Sequence, residues 1–396
     1  MAYDFDTVID RHHTGCLKYD AAAARGHRED DLSLWVADMD FRMPPEVLDA
    51  LHARIDEGIF GYSMAKPSYY EAVQNWFAHH HGFTPKRSWF VTTPGVVFAL
   101  SAAVRAFTHE GDGVLIQPPV YYPFKNIIEN NGRVVIEAPL SCAYDDKEEL
   151  RYRIDFDAFE HVVKAREPKL FILCNPANPV GRAWTKEELS RIAAICLEND
   201  VLIVSDEIHA DFAQEGHAHA SLALLGDDVL ARSIICTSPS KTFNIAGLQI
   251  SNIFIANAQL KTSFKQAIAQ TGYDEPSAIG LAAVEACYNF GAPWLVELKR
   301  YLAGNYETLR GIFESEAPAL KVAPLESTYL PWVDCRALGL DSAGLVDLVE
   351  KKARLWLDMG TIFGTGGEGF VRFNIACPRS IVIEAATRLA HAASAK

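Results

Sequence analysis

The strongest constraint on this chain is the alternation, from residue 88 to residue 212, of short apolar runs with longer amphipathic ones. The segment SWFVTTPGVVFALSAAVRAF reads as a strand, a Pro-Gly turn and a helix starting near Val96. GVLIQPPVYYPF, RVVIEAPL and KLFILCNPANPVG each read as a strand with its loop, TKEELSRIAAICLEND as an acid-fronted amphipathic helix, and VLIVSDEIHADF as a further strand. Strands separated by helices cannot pair as hairpins, so this rhythm predicts an α/β fold with a mostly parallel sheet and helices on both faces. From about residue 285 the text changes to a long helix, APWLVELKRYLAGNYETLRGIFESE, and then a strand-helix-strand set ending in GFVRFNIACPR. That change predicts a large domain over 46–284 and a small α/β domain over 285–396, with the N-terminal segment 1–45 joining the small one.

A length of 396 residues suits such a two-part organisation, and 49% apolar residues is ample for two cores. The formal charge of −14 offers no basic footprint for nucleic acid or an anionic membrane surface. MAYDFDTVIDRHHTG has early acids and no apolar core of signal-peptide length, and no run approaches the roughly 20 apolar residues of a membrane span. A protein of the cytoplasm acting on small molecules is expected. The 8 cysteines, at 16, 142, 174, 196, 236, 287, 335 and 377, show no metal-ligand spacing and read as reduced, mostly buried thiols. Adjacent histidines, as in His79-His80-His81 and His12-His13, point in different directions on a helix, so no metal site is expected.

Ligands of open α/β sheets sit beyond the C-terminal ends of the strands. Four polar stretches follow apolar runs there: Thr93-Pro94-Gly95-Val96-Val97, Asn175 to Gly181, Ser205-Asp206-Glu207-Ile208-His209, and Thr237-Ser238-Pro239-Ser240-Lys241. None is specific alone. An N-P-x-G loop, then D-x-x-H about thirty residues on, then S-x-S-K about thirty more, is a strong compound signal. In this order they resemble the fold-type I pyridoxal-5′-phosphate (PLP) enzymes of the aminotransferase class I/II superfamily, over nearly the whole chain. The resemblance implies a mostly parallel, seven-stranded type of sheet in the large domain and PLP as cofactor.

It also implies roles. Lys241 would carry the cofactor as a Schiff base, which needs a neutral amine and hence a desolvated, cation-facing site. Asp206, at the end of an apolar strand, needs a cationic partner, and a protonated pyridine nitrogen would be one, keeping the ring an electron sink. Gly95, Val96 and Val97 open a helix whose N–H groups and dipole suit a phosphate, with hydroxyls added by Ser238 and Ser240. By family position, Asn178 and His209 face the phenolic oxygen of the cofactor, Tyr121 stacks on its ring, and Tyr62 reaches the phosphate of a neighbouring subunit. The active site would then be shared across a homodimer. Arg372, in FVRFNIA, matches the residue that grips the substrate α-carboxylate, for which a forked guanidinium is suited.

Fold cannot choose among transamination, elimination and decarboxylation. LWVADMDFRMPPEVLDAL, GIFGYS, SDEIHADF and SKTFNIAGLQISN resemble the cystathionine β-lyase (cysteine-S-conjugate β-lyase) branch of MalY/PatB type. Gln249 stands eight residues after Lys241, where ordinary aminotransferases carry an arginine. The resemblance implies β-elimination from an amino-acid thioether. An aminotransferase using a 2-oxo acid, and a PLP-loaded regulatory or interaction protein, are the alternatives.

Overall fold

The computed structural model describes residues 3–395. Its centre is a sheet of seven strands, β1 (Phe90–Thr93), β2 (Gly113–Ile116), β3 (Val134–Glu137), β4 (Leu170–Cys174), β5 (Leu202–Asp206), β6 (Ser233–Thr237) and β7 (Ser251–Phe254). Across the sheet the order is β1-β7-β6-β5-β4-β2-β3. Strands β2 to β6 pair in parallel, whereas β7 runs antiparallel between β6 and β1. Every residue of β4, β5 and β6 is buried, which explains why their sequences are apolar without alternation: helices cover both faces.

The helices start where the sequence supplies an N-terminal signal. In α2 (Lys186–Glu198), the Thr185 hydroxyl accepts the Glu188 N–H at 3.1 Å and the Glu188 carboxylate accepts the Thr185 N–H at 2.8 Å. Such a box stabilises a helix by about 1 kcal/mol. Helix α1 (Val96–Phe107) instead begins at Gly95 with no side-chain cap, so its first N–H groups are free to face a ligand.

The register places strand ends side by side: Cys174 lies opposite Asp206, and Asp206 opposite Cys236. The C-terminal part holds a 25-residue helix, α3 (Ala292–Glu316), packed along α4 (Arg379–Ser394). Beside them is an antiparallel sheet of β8 (Lys321–Val322), β9 (Trp332–Asp334), β10 (Asp358–Met359) and β11 (Phe370–Arg372), in the order β8-β9-β11-β10. The N-terminal segment reaches this part directly, since Leu32–Ser33 pair in parallel with Leu355–Trp356. A hairpin of Ser141–Tyr144 with Leu150–Arg153 has no counterpart in the sequence reading.

Candidate active site

A cavity of about 200 Å³ opens at the C-terminal ends of β4 and β5. It is lined by Gly95, Val96, Val97, Tyr121, Asn178, Asp206, His209, Ser240, Lys241 and Arg372 together. Two of the expected residues are not on its wall. Ser238 donates its hydroxyl to the Ile250 carbonyl at 2.7 Å and accepts the Ser240 N–H at 3.1 Å, so its polar capacity holds the turn before Lys241. Tyr62 is 96% exposed and lines a separate cleft, which shares Pro94 and Gln249 with the first.

The Lys241 amine donates to the Ala37 carbonyl at 2.8 Å, and the same oxygen accepts the Tyr329 hydroxyl at 2.9 Å. Burial pushes the amine down to about 8 from its ordinary 10.5; Arg372 adds to the depression, and Asp38 and Asp206 oppose it. Asp206 is 4% exposed, and burial raises its carboxyl to about 7, against the Ile208 N–H that it accepts at 3.1 Å. A carboxylate so placed attracts a cation strongly, and the Lys241 amine donates to the Ala37 carbonyl and not to it. Burial, reinforced by Lys241 and Arg372, holds His209 down to about 3, so its imidazole is neutral, and its Nδ1 has no partner. Tyr121 is pushed up by burial, with Tyr122 and Asp206 adding, and stays a phenol.

Arg372 is 2% exposed and enters from β11. Its Nη1 donates to Asn178 Oδ1 at 2.9 Å and its Nη2 to the Trp35 carbonyl at 2.8 Å and to Asp358 Oδ2. Nε is buried without a partner, a donor directed at nothing the chain supplies. The bond to Arg372 uses Asn178 Oδ1, which leaves the amide nitrogen of Asn178 for another acceptor.

Several contributors carry no motif. Ala37 acts through its carbonyl, Tyr329 through a hydroxyl on that carbonyl, and Asp358 as the buried counter-ion of Arg372. Asp211 accepts from Thr242 Oγ1 at 2.6 Å, His81 Nε2 at 2.8 Å and Trp76 Nε1 at 3.1 Å, which pins the residue next to Lys241 from behind. The patterns A-D-M-D-F and S-D-E-I-H-A-D-F were the available signals for Ala37 and Asp211; Asp358 had none. Among the described residues no group of three or more His, Cys, Asp or Glu is arranged to hold a metal ion.

The donor set suits one kind of guest. Uncapped N–H groups at Gly95–Val97 suit an anion, Asp206 a cationic aromatic nitrogen, and Lys241 an electrophilic carbon, while Arg372 Nε remains for a second anion.

The model of the family "aminotransferase class I and II" matches residues 29–389. Cystathionine beta-lyase PatB of Bacillus subtilis (strain 168) is 40% identical over 391 residues, covering 99% of this chain and 100% of the relative. Protein MalY of Escherichia coli (strain K12) is 34% identical, covering 96% and 95%. The crystal structure of cystalysin from Treponema denticola, which contains a pyridoxal 5′-phosphate cofactor, superposes with a TM-score of 0.94 at 38% identity, covering 99% of each chain.

Proposed function

The chain belongs to the aminotransferase class I and II family, and from that premise we propose that it is a PLP-dependent carbon–sulfur β-lyase. It cleaves L-cystathionine or other L-cysteine S-conjugates to a thiol, pyruvate and ammonia. The observation that carries this reading is a buried lysine amine with its pKa lowered to about 8, beside a buried carboxylate and a buried arginine, in a chain that aligns over nearly its whole length with cystathionine beta-lyase PatB.

PLP fits the residues present. Its phosphate matches the free N–H groups of Gly95–Val97 and the Ser240 hydroxyl, its ring nitrogen matches Asp206, and its phenolic oxygen matches the amide of Asn178 and the neutral imidazole of His209. The ring of Tyr121 supplies an apolar face. When bound, PLP supplies an aldehyde carbon that takes the substrate amine and a ring that draws electrons from Cα.

The chain's own residues then have distinct tasks. Asp206, a buried carboxylate, would hold a proton on the ring nitrogen of the bound cofactor. Arg372, braced by Asn178, the Trp35 carbonyl and Asp358, offers Nε to the α-carboxylate and so fixes which bond at Cα faces the lysine. Lys241 Nζ takes the Cα proton; its pKa, lowered to about 8, makes part of the amine neutral and ready at pH 7–8 while leaving it basic enough to accept that proton. The C–S bond then breaks with its electron pair on sulfur. The aminoacrylate that remains is hydrolysed to pyruvate and ammonia.

The homodimer is part of the proposal. Ile59, Phe60, Tyr62 and Met64 are 75%, 56%, 96% and 81% exposed on one irregular stretch beside the Pro94–Gln249 cleft, an apolar patch suited to a second copy whose Tyr62 approaches the phosphate end of this site. Unpaired cysteines fit a reducing cytoplasm; among the described residues no helix is long and apolar enough to cross a membrane. The test is to supply L-cystathionine without any 2-oxo acid: pyruvate and homocysteine in equal amounts support the lyase. Loss of the cofactor absorbance without pyruvate, reversed by a 2-oxo acid, makes it an aminotransferase.

A further inference from the structure

Next to the site, behind Val36 and outside the cavity lining itself, stands a ladder of four planar groups. Arg25 lies over the Trp35 ring with its guanidinium 4.4 Å from the ring centroid. Trp35 stacks on Trp356 at 4.7 Å with planes 13° apart, and Trp356 on His27 at 4.4 Å and 17°. The ladder is joined to the catalytic cavity through the backbone. The Trp35 carbonyl is one of the acceptors of Arg372, and the next residue, Val36, lines the cavity with Tyr122.

Arg25 differs from its neighbours in what it does with its charge. Arg28 pairs with Asp30 at 3.4 Å, and Arg354 pairs with Asp30 and Asp31 at 2.6 Å each. Among the described residues the Arg25 guanidinium has no carboxylate partner, only the indole face, and it is exposed. Its charge is nonetheless felt at the cavity, by the phenol of Tyr122 and by the Asp358 carboxylate that braces Arg372. A cation–π stack restrains the guanidinium plane while leaving its N–H edge free, which is pre-organisation for a planar, bidentate anion.

Asp358 occupies Arg372 on one side, so two arginines act on the same end of one cavity: Arg372, buried for the α-carboxylate, and Arg25, exposed on Trp35 without a carboxylate partner and close enough for its charge to act on Tyr122 and Asp358. We propose that Arg25 is a specificity-determining residue that receives a carboxylate at the far end of the substituent on sulfur. The favoured substrates are then cysteine thioethers with an anionic tail, and neutral S-alkyl cysteines are poorer. The inference rests on the β-lyase reading, because it assigns the tail of the thioether to this exposed arginine.

The experiment measures binding rather than turnover, so that it stands apart from whether elimination occurs. Two amino acids with no β-leaving group are titrated into the holoenzyme by calorimetry: L-α-aminosuberate, which ends in a carboxylate, and L-α-aminocaprylate, of the same length but ending in a methyl group. The wild type is expected to favour the dicarboxylate by about twofold to fivefold at low salt, the range of an exposed ion pair, and less at high salt. Arg25→Ala should erase that preference, Arg25→Lys should keep part of it, and Arg25→Glu should reverse it. Equal preference in wild type and Arg25→Ala overturns the inference, as does a wild type that favours the methyl-ended ligand. Pyruvate release from L-cystathionine, recorded on the same preparations, reports separately on the lyase reading.

Discussion

The protonation of Lys241 can be tested without any substrate. The amine is expected at about 8 instead of the ordinary 10.5. At pH 7.5 an amine of the first kind is roughly a quarter neutral and one of the second about a thousandth, a ratio of roughly two hundredfold in the form able to attack an aldehyde. The rate at which apoenzyme captures PLP, followed by cofactor absorbance in a stopped-flow mixer with Lys241→Ala as baseline, should rise about tenfold per pH unit below 8 and level off above it. The carboxylate that most opposes the depression is Asp38, so Asp38→Asn should move the midpoint further down. It should speed capture at pH 7.5 by at most about fourfold, the limit set by a quarter-neutral amine. A capture rate still climbing through pH 10, or a midpoint that moves up in Asp38→Asn, would mean that burial does not depress the Lys241 amine. The same depression has a cost for the apo fold. Protonated Lys241 destabilises it by up to about 3 kcal/mol below pH 8, and the penalty is relieved as pH rises from 8 toward 10.5.

Other expectations follow from the same geometry. Asp206→Asn removes a buried carboxyl raised to about 7, so the apoenzyme should melt higher at pH 8, where the native carboxylate bears an unfavourable charge, while pyruvate formation drops by roughly a hundredfold or more; thermal melts and a coupled assay read both. Arg372→Lys keeps the charge but loses the fork that engages Asn178, Trp35 and Asp358, and kcat/KM for a thioether should fall by about a hundredfold, chiefly through KM; an unchanged KM would remove Arg372 from carboxylate binding. If Tyr62 serves the neighbouring site, mixing Lys241→Ala and Tyr62→Ala subunits through a dissociation step should regain about a quarter of wild-type activity, since half of the dimers are mixed and each holds one intact site. No regain would confine each site to its own subunit.

What the sequence made legible depended on whether the signal was carried by side chains near one another along the chain. The fully buried strands β4 and β5 announced themselves as apolar runs, and their C-terminal residues led to Asn178, Asp206 and His209. Gly95, just after a strand and without a capping side chain, foretold the open helix end. The remaining determinants are long-range. The Ala37 carbonyl meets Lys241 across 204 residues and Tyr329 across 292, and a backbone oxygen leaves no trace in residue identity. Asp358 looks like any strand acid until β10 pairs with β11 and sets it opposite Arg372. Ser238 shows the converse: its type suits a phosphate, but the turn before Lys241 uses its hydroxyl for the Ile250 carbonyl. Asp211 is similar, a polar residue after a motif whose work is to hold Thr242.

Lys241 is assigned here to hold the cofactor, and borohydride fixes that bond for inspection. Holoenzyme reduced with borohydride, digested and sequenced by mass spectrometry should carry the reduced pyridoxyl phosphate on the peptide that contains Lys241, and on no other lysine. A label on a different lysine, or a fully loaded enzyme with no label at Lys241, would contradict the account of the site.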